Sequence, residues 1–284
     1  MAASNAFTGL VEFTPAFAPR PQISHVLFDF DGTLSLIRGG WADVMTGCFL
    51  QWMVLRPDES PQEIGEKLRQ EVLALNGKPT VFQMEHFACR LVERGETPRD
   101  LDWYNDRFRE TLLRKTAERL SAIRQGRAGP EQFLVPGAIA VLRLLQASGA
   151  TLHLVSGTER RYVLEEAEAL GLIEFFENRI HGPEGDDQGF SKMQVMSAIM
   201  DRYSVSAGEL LSFGDGPVEI QNTRKLEGLA IGIASDENEP ASGRTDKVKA
   251  GLLLKAGADV VFPDYAMIPA LLKRLCEGAK TQTV

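Results

Sequence analysis

Val26-Leu27-Phe28-Asp29-Phe30-Asp31-Gly32-Thr33-Leu34 is the stretch on which the reading of this chain turns. An apolar run ends in two carboxylates one residue apart, then in Gly-Thr. A short apolar run bounded by turn residues reads as a buried strand. Both carboxylates then stand where the strand gives way to a loop, which is where open α/β sheets keep their chemistry. A plain strand followed by an Asp-Gly turn would use the same letters, because Asp and Gly are common turn residues. Three further stretches weigh against that plainer reading.

Leu152-His153-Leu154-Val155-Ser156-Gly157-Thr158-Glu159 is a second strand, ending in a hydroxyl. Ser156 and Glu159 have the spacing of a capping box for a helix from Arg161 to Leu170. The same hydroxyl, with free N–H groups at a helix N-terminus, also makes an anion site, and the segment alone supports both. Phe190-Ser191-Lys192-Met193-Gln194-Val195 places a lysine at the opening of an amphipathic helix, after the polar loop Glu184 to Gly189. In isolation Lys192 reads equally as a solvated surface lysine. Leu210-Leu211-Ser212-Phe213-Gly214-Asp215-Gly216-Pro217-Val218-Glu219 repeats the opening pattern, with one carboxylate at a strand end and another four residues on. Acidic groups gathered at strand ends repel one another unless a hard cation joins them. Oxygen donors suit Mg²⁺, which is held by a few carboxylates, water and substrate phosphate.

Composition bounds what these motifs mean. The 284 residues suffice for a full core with a large insertion, and 44% hydrophobic with 25% charged residues is ordinary for a globular chain. A net charge of -8 argues against a phosphate-backbone binder, so no nucleic-acid partner is expected. No apolar run has the length of a membrane span, and Met1 to Pro21 lacks the basic start and apolar centre of a secretory signal. This lead-in is expected to be loosely packed. Cys48, Cys89 and Cys276 fit no paired ligand pattern and read as buried, reduced thiols of a cytoplasmic protein. His25, His86, His153 and His181 show no i, i+4 pair, which argues against zinc; His25 and His153 read as hydrogen-bonded structural histidines.

Strand patterns over His25–Phe30, Thr151–Val155, Arg179–His181, Leu210–Phe213, Leu229–Ile233 and Asp259–Phe262 alternate with helical ones. That rhythm predicts an α/β fold with a doubly wound, largely parallel sheet. Between Leu36 and Pro130 the strand signal vanishes, and helical patterns such as Glu63–Leu75, Val81–Arg94 and Tyr104–Ile123 follow one another. The expected organisation is a tail over 1–22, a core over 23–36 and 131–284, and an all-α insertion over 37–130. Gly39-Gly40 and Gly126-Arg127-Ala128-Gly129-Pro130 provide its flexible connections.

Asp29-x-Asp31-Gly-Thr, Ser156-Gly-Thr, Lys192 and Gly-Asp215-x-x-x-Glu219 occur in the order and spacing of the haloacid dehalogenase superfamily. The chain resembles a phosphohydrolase of that superfamily, of the phosphoglycolate phosphatase and β-phosphoglucomutase type, with a helical cap inserted after the first motif. The resemblance covers about Ser24–Leu36 and Leu134–Leu275; the cap matches only in position and helical character. At finer grain, Ser35-Leu36-Ile37-Arg38-Gly39-Gly40-Trp41, Gln83-Met84, Phe213–Ile220 and Ala234-Ser235-Asp236-Glu237 look like hydrolase modules fused elsewhere to ribokinase-type sugar kinases.

The resemblance implies a Rossmann-like core and a Mg²⁺-dependent phosphatase acting on a small phosphorylated metabolite, as a monomer or homodimer, with a functional link to a sugar kinase. Asp29 is the implied nucleophile, forming an aspartyl-phosphate, and Asp31 the general acid and base. Ser156, the Gly157 amide and Lys192 are the implied phosphate holders. Asp29, the Asp31 carbonyl and Asp215 are the implied metal ligands, while Glu219 either joins them through water or orients Lys192. Thr33, Arg38, Trp41 and Gln83 are candidate substrate contacts. Arg38 is either a fork for a substrate anion or a hinge arginine, and Trp41, Gln83 and His86 face either a cleft or the cap's own core.

A dehalogenase would not require Asp31. A phosphonatase needs a cap lysine, and Lys67, Lys78 and Lys115 sit in no such pattern. A phosphomutase uses the same core residues and remains open, as does a regulatory module that binds a kinase without turnover.

Overall fold

The computed structural model describes residues 11–15, 17–20, 22–75, 80–184, 189–237, 239–270 and 272. Lys78, Cys276, most of the N-terminal lead-in and the centre of the loop before Lys192 lie outside them. In chain order the chain forms β1 (Glu12–Phe13), β2 (His25–Phe28), α1 (Trp41–Trp52), α2 (Pro61–Ala74), α3 (Thr80–Glu93) and α4 (Leu101–Arg124). It continues through α5 (Ala138–Ala147), β3 (Thr151–Val155), α6 (Arg160–Ala169), α7 (Ile173–Phe176), β4 (Ile180–His181) and α8 (Lys192–Tyr203). The last elements are β5 (Leu210–Gly214), α9 (Pro217–Lys225), β6 (Leu229–Ile233), α10 (Lys247–Ala256) and β7 (Val260–Phe262).

The strands make one sheet in the order β1-β7-β6-β5-β2-β3-β4. All pairs are parallel except β1 with β7. From β2 the chain winds outward to β3 and β4, then returns to the other side of β2 for β5, β6 and β7. The direction of winding therefore reverses at β2, and the ends of β2, β3 and β5 flank the switch point where such sheets bind ligands. Val26 and Phe28 are fully buried and Leu27 nearly so, although alternate residues point to opposite faces. A strand covered on both faces is the reason for its continuous apolar run. Leu27 packs with Val155, Leu210, and Met196 and Ile199 of α8.

Three strands are shorter than their sequence patterns. β2 ends at Phe28 because the carbonyl of Phe30 turns back to accept the N–H groups of Thr33 (3.3 Å), Leu34 (2.9 Å) and Ser35 (2.9 Å). β4 and β7 each begin one residue later than expected. Within the lead-in segment, expected to be loosely packed, Glu12 and Phe13 lie opposite Val261 and Val260.

The chain divides into two compact units, one spanning Gly40–Ser121 and the other the remainder. The smaller unit is all helical among the described residues. Ser60 caps α2 by accepting the Glu63 N–H at 3.4 Å, with Pro61 at the first helical position. Ile64, Leu68 and Val72 from α2 and Met84, Phe87 and Leu91 from α3 supply helical-period stripes to one core. Phe49 of α1 stacks on Phe87 with centroids 4.1 Å apart, and Trp52 and Tyr104 close around them.

Two candidate substrate contacts belong to this packing. Gln83 is 2% exposed and donates from Nε2 to the Leu75 carbonyl at 3.0 Å, so it is an interior amide of the helical unit. Trp41 opens α1 and packs, half-buried, against the same core. His86 is exposed and meets Glu71 at 3.2 Å. Cys48 is a buried free thiol, whereas Cys89 is exposed because it lies on the outer side of α3, contrary to the expectation of burial. No helix among the described residues is long and apolar enough to cross a membrane.

Candidate active site

Asp29 follows β2 directly, and its N–H still donates to the Phe213 carbonyl at 3.0 Å, so the sheet fixes its backbone one residue past the strand. Its Oδ1 accepts the Phe30 N–H at 2.8 Å and Lys192 Nζ at 2.8 Å. Oδ2 takes no hydrogen bond from the described residues. Lys192 is the first residue of α8, positioned by the Ser191 cap on Gln194 N–H. It also donates to Glu219 Oε1. Glu219 reaches it by lying flat on the end of β5, where a Cβ on Gly214 would fall 2.6 Å from Glu219 Cβ. Glycine is therefore required at 214 for this lysine to have two carboxylates.

Asp31 is held from the other side. Thr158 Oγ1 donates to Asp31 Oδ2 at 2.7 Å, and Arg38 Nε lies 3.6 Å from Oδ1. Arg38 is itself fixed by Glu166, a residue of α6 that is 1% exposed: Nε donates to both carboxylate oxygens at 3.1 and 3.2 Å, and Nη2 to Oε1 at 2.7 Å. Arg38 is thus neither a loose hinge residue nor an unpaired fork. Ser156, 1% exposed, accepts the Thr158 N–H at 3.0 Å. The capping box expected of Ser156 and Glu159 does not form: α6 begins at Arg160, and its cap Glu159 makes no side-chain capping bond. Ser156 instead closes a tight turn that aims Thr158 at Asp31. Gly157 is exposed beside this turn, with Lys192 Cε 3.7 Å from where its Cβ would be.

Asp215 completes the cluster from the loop after β5. Its Oδ1 is 3.5 Å from Thr33 Oγ1, and its Oδ2 is 2.9 Å from Lys249 Nζ. Thr33 is fully buried, so it supports Asp215 rather than offering itself to a substrate, which corrects the expectation from sequence. Lys249 on α10 is also 2.6 Å from Glu237 Oε1. Gly32, at φ 71°, passes so close that a Cβ there would stand 2.1 Å from Asp215 Oδ2.

Six carboxylates (Asp29, Asp31, Glu166, Asp215, Glu219 and Glu237) therefore meet three cations (Arg38, Lys192 and Lys249). Burial raises the Asp29 carboxyl well above the usual range; Lys192 opposes this, while Glu219 and Asp215 add to it. Burial likewise raises Asp31, against Arg38 and the Thr158 hydrogen bond. Burial also raises Glu166, to about 7, against its Arg38 hydrogen bonds. Burial works against the charges of Lys192 and Lys249, yet their paired carboxylates outweigh it and hold both ammonium groups charged.

The cluster is short of positive charge and offers only oxygen donors, which fits a hard divalent cation. Among the described residues no three acidic, histidine or cysteine side chains converge as a ready cage. Mg²⁺ does not need one, since it takes one or two carboxylates and completes its shell with water and phosphate.

Comparison with known proteins gives the chain a family. Residues 23–222 match the family described as haloacid dehalogenase-like hydrolase, a span of more than half the chain. The chain belongs to the haloacid dehalogenase-like hydrolases. A search of curated proteins finds no match. Among solved structures, this hydrolase is similar to a predicted phosphoglycolate phosphatase from Haemophilus somnus 129pt (17% identity, 88% of this chain and 98% of that one, TM-score 0.60). It is also similar to a haloacid dehalogenase-like protein of unknown function from Agrobacterium tumefaciens C58 (17%, 90% and 100%, TM-score 0.62). A third is a family hydrolase from Deinococcus radiodurans R1 with bound phosphate and sodium (16%, 90% and 97%, TM-score 0.59). Identities this low establish the shared fold.

In this hydrolase Asp29, Asp31, Ser156, Lys192, Asp215 and Glu219 gather at the ends of β2, β3 and β5. Four participants were not assigned roles by sequence reasoning. Thr158 was quoted in its motif but given no task, and Glu237 likewise. Glu166 and Lys249 lie inside ordinary helical patterns, and only their burial as charged residues marks them.

Proposed function

We propose that the protein is a Mg²⁺-dependent phosphatase that hydrolyses a small phosphomonoester, a sugar phosphate or short-chain acid phosphate, through an aspartyl-phosphate on Asp29. The observation that carries this reading is the pairing of two differently held carboxylates: Asp29 bonded to Lys192 through Oδ1, with no partner on Oδ2 among the described residues, and Asp31 fixed by Thr158 at 2.7 Å.

Asp29 Oδ2 attacks phosphorus in line while Lys192 neutralises charge on the non-bridging oxygens. Ser156 and the Gly157 amide orient the phosphoryl group. Asp31, whose burial favours its protonated form, gives its proton to the departing alkoxide. It then takes a proton from the water that cleaves the Asp29 acyl phosphate. Thr158 and Arg38 keep Asp31 in place through both half-reactions. Glu219 orients Lys192.

Asp29, the Asp31 carbonyl and Asp215 would hold Mg²⁺, which when bound offsets the repulsion between an anionic nucleophile and an anionic phosphate. The restriction to small substrates rests on the resemblance of segment 37–130 to an inserted helical cap.

Phosphate release from sugar phosphates, phosphoglycolate, nucleotides and an aryl phosphate, with and without Mg²⁺, tests the reading alongside Asp29→Asn. Metal-dependent release that the substitution abolishes is expected. A folded protein that isomerises a sugar phosphate without net release, or turns over nothing in the panel, would overturn it.

A further inference from the structure

Away from the catalytic cluster, the least explained feature is a row of histidines beneath α8. His25 of β2, His153 of β3 and His181 of β4 stack in sequence, with ring centroids 5.5 Å and 6.0 Å apart. Tyr203 lies 5.0 Å from His25 and 5.5 Å from His153. His153 is 1% exposed, and neither of its ring nitrogens has a hydrogen-bond partner among the described residues. Among the same residues Nε2 of His25 and of His181 also has none, whereas His25 Nδ1 meets Ser24 Oγ at 3.1 Å. The expectation of hydrogen-bonded structural histidines therefore holds for His25 and fails for His153. Leaving a buried polar atom without a partner is unfavourable, and an aliphatic residue would fill a strand position without that cost.

His153 and His181 line a cavity of about 210 Å³ together with Asn178, Arg179, Arg202 and Tyr203. The charged side chains on its lining are both arginines. Arg179 is anchored through Nε to the Leu152 carbonyl at 3.0 Å, and its Nη1 meets the exposed Glu177 at 3.0 Å. Arg202 is exposed and lies over the Tyr203 ring, 5.5 Å from its centroid. Burial holds all three histidines below their usual range: Arg179 adds to it at His25 against Glu209, the neighbouring rings and both arginines add to it at His153, which lies at about 3, and Arg160 and Arg202 add to it at His181. Neutral imidazole carries one N–H donor and one acceptor nitrogen. Neutral rings without partners among the described residues and two guanidinium groups thus border the same cavity.

We propose that this cavity is a second binding site, separate from the catalytic cluster, for a small oxyanion-bearing metabolite whose phosphate or carboxylate oxygens meet His153, His181 and Arg202. The wall opposite the sheet is α8, through Val195, Ile199 and Arg202, and α8 begins at Lys192. An occupant therefore braces the helix that presents the active-site lysine. The site consists of its own residues and is independent of the proposed phosphatase reaction.

The full chain has four histidines, which makes imidazole ¹⁵N spectra a direct readout. Metal-free protein is titrated at constant ionic strength with inorganic phosphate and, separately, with citrate. His86, on the helical unit, serves as the internal control. Saturable shifts of His153 and His181 with His86 unmoved are expected, and the more effective probe identifies the phosphoryl or the carboxylate source. Arg202→Gln should weaken the response roughly ten- to a hundred-fold, the loss of a charge-assisted hydrogen bond. Ala198→Met, at an exposed residue of the lining, should abolish it by filling the space. Three results would overturn the proposal: shifts that never saturate, shifts shared by His86, or a response that survives both substitutions.

Discussion

Gly32→Ala tests the geometry of the catalytic cluster most directly. Two effects are expected, and they can be separated. Gly32 has φ 71°, a left-handed conformation that costs an alanine about 1–2 kcal/mol. The second effect is steric: the new Cβ would lie 2.1 Å from Asp215 Oδ2, where contacts under 3.0 Å essentially never occur, so the carboxylate must retreat by 3.0 − 2.1 = 0.9 Å. Its retreat is resisted by Lys249, whose Nζ is 2.9 Å from that same oxygen. A misplacement of roughly 1 Å at a catalytic group costs on the order of a hundred-fold in rate.

Gly126→Ala supplies the control, since Gly126 has φ 65° with nothing within 4 Å of its Cβ position, and it incurs only the backbone term. Thermal unfolding should show a fall of roughly 2–8 °C in both variants. Phosphate release at saturating substrate, across a Mg²⁺ titration, should collapse only in Gly32→Ala, with a weaker response to the metal. Turnover and Mg²⁺ dependence of Gly32→Ala matching those of the control would refute the assignment of Asp215 to the reaction.

Lys249→Met removes a 7%-exposed ammonium from between Asp215 and Glu237 and should destabilise the protein by about 3 kcal/mol in denaturant titrations. Adding Glu237→Gln should restore part of the loss, and strict additivity would show that the pair is not coupled. Glu219→Gln should lower kcat roughly ten- to a hundred-fold while leaving the Mg²⁺ requirement unchanged; a rate recovered by raising Mg²⁺ would instead make Glu219 a metal ligand. The pH dependence of stability should carry a His153 component. His153 titrates at about 3 when folded and near 6.5 when unfolded, so the unfolded chain takes up its proton first as pH falls. Its contribution is complete above about 6.5 and shrinks toward 3, and between pH 7 and pH 4 the native protein should lose about 3 kcal/mol more than His153→Gln. Groups facing this ring are His25, His181, Arg179, Arg202 and Tyr203, and parallel stability curves would remove His153 as the source.

Local pattern determines the strands that carry Asp29, Ser156 and Asp215, because a strand buried on both faces must be continuously apolar and must stop where its carboxylate or hydroxyl meets a loop. That much was legible in the sequence, with ends off by a residue or two. Glu166 and Lys249 were not, since a charged residue in an amphipathic helix looks solvated until the neighbouring helix or strand covers it. Arg38 was visible as a candidate but its partner was 128 residues away. Ser156 with Glu159 illustrates the opposite error: a local signature for a helix cap lost to a turn that brings Thr158 to Asp31. β1 escaped notice because two residues cannot display a period, and pairing with β7 is what makes them a strand.

That two-residue strand also bears on solubility. A parallel sheet has two bare margins, each a row of unpaired N–H and C=O groups able to recruit another chain. At one margin β4 contributes only Ile180 and His181, too short a template to extend. At the other, Glu12 and Phe13 run antiparallel along Val260 and Val261, and Thr14 N–H continues the contact to the Asp259 carbonyl at 3.0 Å. A shortened chain starting at Ser24 would keep every catalytic side chain and still strip this cover from Val260–Phe262, an apolar ribbon. Self-association through that uncovered edge, rather than loss of chemistry, is the failure to expect from trimming the N-terminal segment.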